Sequence, residues 1–228
     1  MNLSKSLYTK AIQCPKALWL KKYKKEVLTP PDESALAIFD TGNIVGDLAY
    51  QLFTNGKEVP YSKNYDEMMA QTQQYLDDGI SAIYEATFTY QGILVIVDVL
   101  VVEDDGSFSI YEVKSSTSVK DIYLHDASIQ YFVLKGLGYS IKSTNIVHID
   151  NSYVRGDELK LDELFATVDV SDDVIELQDD IPTRLKEFEE YLEDKTNEPA
   201  IDIGSHCNKP YECDAKDYCW RVQRQIPE

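Results

Sequence analysis

One carboxylate in this chain stands where the hydrophobic effect argues against it. Residues 93–102, ILVIVDVLVV, are aliphatic except for Asp98 in their midst. Such an apolar run reads as a strand buried on both faces. A carboxylate there is unfavourable unless its pKa rises or a partner offsets it. The neighbouring turns suggest partners. EDDGS fits a three-residue hairpin loop, Asp104-Asp105-Gly106, with Gly106 left-handed, which sets Glu103 against Ser107 and Asp98 against Glu112. YQGI fits a two-residue loop, Gln91-Gly92, which sets Glu85 against Asp98. Directly opposed residues share a face at about 5 Å between Cβ atoms. Glu85, Asp98 and Glu112 then form one row across three strands, with Lys114 two residues beyond Glu112 on the same face. A two-residue Asp105-Gly106 turn would instead shift the second pairing by one and put Asp98 and Glu112 on opposite faces.

Three carboxylates and one lysine leave two negative charges uncompensated. A divalent cation is the natural counter-charge, and hard oxygen ligands suit Mg²⁺ or Mn²⁺. With such a cation to polarise a phosphate and acidify water, phosphodiester hydrolysis needs no nucleophilic side chain.

A second set of chemically capable residues lies at the chain ends. Cys14 precedes Pro15, and Cys207, Cys213 and Cys219 sit in SHCNKPYECDAKDYCW. Four thiolates can hold one iron–sulfur cluster or one zinc. The spacing differs from the short pairs usual for zinc and does not choose the metal. Disulfides are disfavoured in a cytoplasmic protein, and independent free thiols are the bland alternative.

The elements needed to position these residues are readable in outline. Residues 4–24 have helical apolar spacing with a break at Pro15, and helices are expected at 34–53 and 66–76. Strands at 83–90, 93–103 and 107–114 form an antiparallel meander. HDASIQYFVLKGLGY reads as a helix ended near Gly136 or Gly138, TNIVHID as a short strand, and DDIPTRLKEFEEYLEDK as a helix with Pro182 in its first turn. The order is α/β, and 228 residues suffice for one large domain with an appended part. No uncharged run reaches membrane-spanning length, and no secretory leader is evident, so the cytoplasm is the default expectation.

The net charge of −18 argues against a generic polyanion binder. The charge is uneven, however: residues 1–25 hold seven lysines and no acid, and the densest acid lies between Asp157 and Glu198. Lys16, Lys21, Lys22, Lys24 and Lys25 could give a basic face for phosphates while acidic helices face water, or could simply be a solvated helix surface.

VIVDVLV, then YEVKSST, then Gln130 in a helix together resemble the core of the PD-(D/E)xK nucleases, specifically the RecB-like branch. The resemblance implies a mixed sheet flanked by helices. Asp98, Glu112 and the Val113 carbonyl would bind metal; Glu85, placed beside them by the strand register and not by the resemblance, would help in place of the missing helix His. Lys114 would position the attacking water, and Gln130 would support the site. A CP near the N-terminus plus three C-terminal cysteines resembles the iron–sulfur exonucleases of this branch, among them the CRISPR-associated nuclease and the AddB nuclease domain. LSKSLYTKAIQCPKALWLKK and TGNIVGDLAYQLF are similar to a further iron–sulfur branch. The implied cofactor is a [4Fe–4S] cluster on Cys14, Cys207, Cys213 and Cys219, joining residues 1–25 and 199–228 around a catalytic core at about 80–150 within a single domain. The resemblance implies DNA as the substrate, single-stranded in preference, with exonucleolytic cutting from an end as a mode open to it. Relatives can continue into further domains, so a longer protein or a partner enzyme is compatible with the resemblance. Two departures stand out. Leu134 occupies the place where the family often has Tyr. Gly46, four residues after Gly42, occupies the place of a metal-binding His. A cluster-bearing nucleic-acid-binding module with weak catalysis and a zinc-stabilised acidic interaction protein are the alternatives.

Overall fold

The computed structural model describes residues 2–227 and divides into two compact units. One comprises the residues up to Lys5 with Ile38–Gln178; the other comprises Ser6–Ala37 with the residues from Asp179 onward. The elements run β1 (Leu3–Ser4), α1 (Lys5–Gln13), α2 (Pro15–Tyr23), α3 (Glu33–Tyr50), β2 (Lys57–Glu58), α4 (Tyr65–Asp77), β3 (Ala82–Tyr90), β4 (Ile93–Val102), β5 (Phe108–Lys114), α5 (Asp121–Gly136), β6 (Ile141–Ile149), α6 (Leu161–Leu164), β7 (Phe165–Asp169), α7 (Ser171–Glu176) and α8 (Ile181–Glu193), with short 3₁₀ and π turns between.

The first unit is built on a mixed open sheet in the order β2-β3-β4-β5-β6-β7, with β1 added to β4. β3, β4 and β5 form the antiparallel meander. β6 runs parallel to β5, which requires a crossover, and α5 provides it. Two turns fix the meander's register. Gln91 and Gly92 both have positive φ, 49° and 76°, as a tight two-residue hairpin needs. Gly106, at φ 79°, closes the other loop, where Glu103 N–H donates to the Ser107 carbonyl. The pairings Ala86↔Val97 and Val99↔Tyr111 follow. The three-residue loop is therefore the one formed, and Asp98 falls in register between Glu85 and Glu112. Strand β4 is not buried on both faces, however. Val95, Val97 and Val99 are buried, whereas Leu94, Ile96 and Asp98 on the other face are half-buried.

Helix α5 ends as its glycines foretell. Gly138 at φ 93° follows the last turn, and Tyr139 N–H returns to the Leu134 carbonyl. Against the sheet, α3 buries Val45 and Ala49 on Val147 and Phe165. In the second unit Pro15 starts α2 at a position where its missing N–H is tolerated, so the expected break at Pro15 divides the segment into two helices that meet at Cys14. Trp19 and Tyr23 of α2 donate to the carbonyls of Asp194 and Leu192 at the end of α8. Among the described residues, no helix is long and apolar enough to cross a membrane.

Candidate active site

The site lies where two strands part. The β4–β5 ladder extends only from Val102↔Phe108 to Val99↔Tyr111. Beyond it β5 continues paired to β6 alone, through Lys114↔His148. The Val113 N–H, left without a strand partner on that edge, donates to Asp98 Oδ2 at 2.7 Å. N–H and C=O of one extended residue point to the same edge, so the Val113 carbonyl also faces Asp98. β3 covers the other edge of β4, so β1, paired at Leu3↔Ile93 and Ser4↔Leu94, lies on the edge that β5 leaves. That short strand delivers the next residue, Lys5, into the fork.

Glu112 is the buried centre of the site, with only 2% of its side chain exposed. Lys5 Nζ donates to both of its oxygens, at 3.0 and 2.8 Å. Lys114 Nζ reaches Glu112 Oε1 at 2.6 Å and Asp126 Oδ2 at 2.6 Å. Gln130 Nε2, fully buried on α5, donates to Glu112 Oε2 at 2.7 Å. The expected group of Asp98, Glu112, Lys114 and Gln130 is thus brought together. Leu134, one turn on, lies fully buried in the core and presents nothing to the site.

Lys5 and Asp126 are additions that sequence reasoning did not supply. Asp126 stands four residues before Gln130, on the same face of α5, so helical spacing carried that signal. Lys5 meets Glu112 across 107 positions of chain, which no local pattern announces.

The charges explain the protonation. Burial pushes Asp98 up, as do Glu112 and Glu85, and Lys5 and Lys114 offset only part of this, leaving its pKa raised to about 7. Glu112 also meets the burial penalty, but Lys114 and Lys5 outweigh it and hold the carboxyl well below the usual range. Asp126 is raised by burial and by the Glu112 charge. Asp126 Oδ1 and Gln130 Oε1 are buried without a hydrogen-bond partner.

A cavity of about 360 Å³ opens beside Asp98 and Val113. Gly42, Asn43, Gly46, Asp47 and Tyr50 of α3 line it as one helical face, together with Glu58, Tyr61 and Glu85. Asp47 thus lines the cavity beside Gly46. A Cβ at Gly46 would meet nothing within 4 Å, so the position of the expected ligand His is open space. Glu85 has φ 56°, a left-handed conformation that costs a residue with Cβ about 1 kcal/mol, and its carboxylate accepts from Tyr50 OH at 2.5 Å. Among the described residues, no three His, Cys, Asp or Glu side chains are grouped to hold a metal ion. The donors that do converge are two carboxylates and one carbonyl. They suit a hard cation, and the Lys5 ammonium now stands between the two carboxylates.

In the second unit Cys14, Cys207, Cys213 and Cys219 are all free thiols and line one small cavity of about 20 Å³ beside His206. Gly204 N–H donates to Cys207 Sγ at 3.5 Å. Burial raises the thiols of Cys14, Cys213 and Cys219, and the neighbouring cysteines add to this. The four sulfurs are not gathered tightly enough to count as a metal-holding group, but as a donor set four soft thiols lining one cavity have the chemistry that suits a cluster or zinc.

The expected basic face is reduced. Lys16 is buried, with its ammonium 2.7 Å from Gln223 Oε1 and 3.3 Å from Glu198 Oε2, so it is not placed to meet a phosphate. Lys24 is held by Glu198 and Tyr218. Lys22 is half-buried, which lowers its pKa, while Lys21 and Lys25 are exposed.

No family model matches this chain, and no curated protein matches it. Among solved structures, one described as "Crystal structure of SSO0001" is similar at a TM-score of 0.38 and 14% identity, covering 80% of this chain and 76% of that one. A likeness at that level carries no functional argument, so what the chain does must be argued from the fork between β4 and β5.

Proposed function

We propose that the chain is a metal-dependent deoxyribonuclease of the PD-(D/E)xK type, RecB-like, acting on single-stranded DNA in preference and carrying an iron–sulfur cluster on its four cysteines. The observation that carries this reading is the convergence of Asp98, Glu112, Lys114 and Gln130 where β4 and β5 part. Asp98, Glu112 and the Val113 carbonyl would hold a divalent cation, which when bound would supply Lewis-acid polarisation of a phosphodiester and a more acidic water. Glu112 is kept ionised by its lysines, and Gln130 fixes its orientation. Lys114, anchored by Asp126, can orient the attacking water and offset charge on the scissile phosphate. Exposed Lys21 and Lys25 remain for phosphate attraction. Gly46 and the Lys5 ammonium favour a second reading, a nucleic-acid-binding module with weak catalysis.

The test is cleavage of end-labelled single- and double-stranded DNA with Mg²⁺ or Mn²⁺ by wild type and Lys114→Ala. Cutting that favours single strands and falls at least 10²-fold in the variant is the outcome of the first reading. DNA binding without cleavage is the outcome of the second. For the cluster, protein purified without oxygen should be brown with about four iron and four sulfide per chain, and Cys14→Ala should lose most of both. Colourless protein with one zinc would replace the cluster by zinc.

A further inference from the structure

Lys5 Nζ lies within 4 Å of three carboxylates of the site, those of Asp98, Glu112 and Asp126. It bonds both oxygens of Glu112, lies 3.7 Å from Asp98 Oδ1 and 3.8 Å from Asp126 Oδ1, and has only 18% of its side chain exposed. Such a contact set is that of a cation site, filled by a side chain. We propose that Lys5 is a tethered counter-cation which holds the divalent-metal position in the metal-free protein and must be displaced for the metal to bind. The inference rests on the metal-site reading above and adds the competition.

Two physical facts require an exchange rather than joint occupancy. Asp98 and Glu112 converge on one point, and an ammonium and a divalent cation placed there together would repel strongly in a poorly hydrated site. Glu112 also spends both of its oxygens on Lys5, one of them shared with Lys114 and the other with Gln130. The means of exchange is present as well. The lysine stem has four rotatable carbons, and β1, which places it, is a strand of two residues, paired at Leu3↔Ile93 and Ser4↔Leu94. The consequence is a site whose metal affinity is set below what its carboxylates would give, because the metal must first compete with a charge that the chain itself supplies.

The test is Mn²⁺ binding, read from the free-ion signal in electron paramagnetic resonance, for wild type, Lys5→Met, Asp98→Asn and the double variant. Lys5→Met should bind Mn²⁺ at least tenfold more tightly than wild type. It should also melt at lower temperature without metal and regain that loss with Mn²⁺. Asp98→Asn should abolish the tight site in both backgrounds. If Asp98→Asn abolishes binding but Lys5→Met binds no more tightly than wild type, the exchange is wrong and the metal site stands. If Asp98→Asn changes nothing, the metal site itself is misplaced and the proposal falls with it. A measurement on unaltered Lys5 covers the case of a poorly folded variant. Its Nζ resonance, identified by its loss in Lys5→Arg, should move to the position of a solvated lysine as Mg²⁺ is added. A resonance that stays in place while Mg²⁺ binds would overturn the proposal.

Discussion

Asp98 resolves its unfavourable burial by three local means. Its strand face is only half-buried, its carboxylate accepts the Val113 N–H, and a proton or a cation offsets its charge. Four site residues were legible because register is a discrete variable. A three-residue loop closed by a left-handed Gly106 sets Asp98 against Glu112, and Lys114 follows by the two-residue period. Lys5 was not legible, since its place depends on a strand of two residues, too short for any periodicity. The open space at Gly46 yields a gain-of-function test. Gly46→His places an imidazole in the cavity lined by Asp98 and should tighten Mn²⁺ binding roughly tenfold, about 1.4 kcal/mol. The change should leave thermal stability equal or higher, because Gly is a poor helix residue. A Mn²⁺ titration with unchanged affinity would separate that space from the metal position.

At the scale of elements, the long periodic segments were readable and the short edge pieces were not. β3, β4, β5, α5 and α8 each present enough apolar residues in one period to be seen. β7 buries only Phe165 and Ala166 to any extent, leaving Thr167, Val168 and Asp169 exposed, while both residues of β2 are exposed. Neither has a face that sequence could show. The element that sets the site is the β4–β5 hairpin. A Cβ at Gly106 meets no neighbour, but φ 79° is unfavourable for any residue that carries one. Gly106→Ala should therefore cost about 1 kcal/mol in urea denaturation with an unchanged slope. An effect near zero would mean that the loop readily adopts another turn, and with it another register.

At the scale of the whole molecule, the excess acid is not all solvated surface. Glu198, at the edge of the acidic segment, gathers Lys16, Lys24, Gln223 and Tyr218 in the second unit, so lysines that sequence assigned to phosphate instead neutralise the chain's own acid. No spacing rule links residues 16 and 24 to 198, which is why the basic face looked larger than it is. Burial tends to raise the Glu198 pKa, but the hydrogen bonds from Tyr218, Lys24, Gln223 and Lys16 prevail and lower it to about 2. A carboxyl depressed in the folded state stabilises above its unfolded pKa and loses that contribution as pH falls through the folded one. The second unit should therefore weaken between about pH 5 and pH 2. Glu198→Gln should flatten that dependence and cost about 1–2 kcal/mol at pH 7. Circular dichroism melts across that range measure both, and identical acid profiles for the two proteins would remove Glu198 from the account.

The fork between β4 and β5 is proposed as a metal-dependent phosphodiesterase centre. Its most direct test is the rate of cleavage of a labelled single-stranded DNA as Mn²⁺ is titrated, for wild type and Asp98→Ala. The account predicts saturable, EDTA-sensitive cleavage by wild type and a loss of at least 10³-fold in Asp98→Ala that added Mn²⁺ does not restore. Cleavage by wild type in EDTA, or full activity of Asp98→Ala, would contradict it.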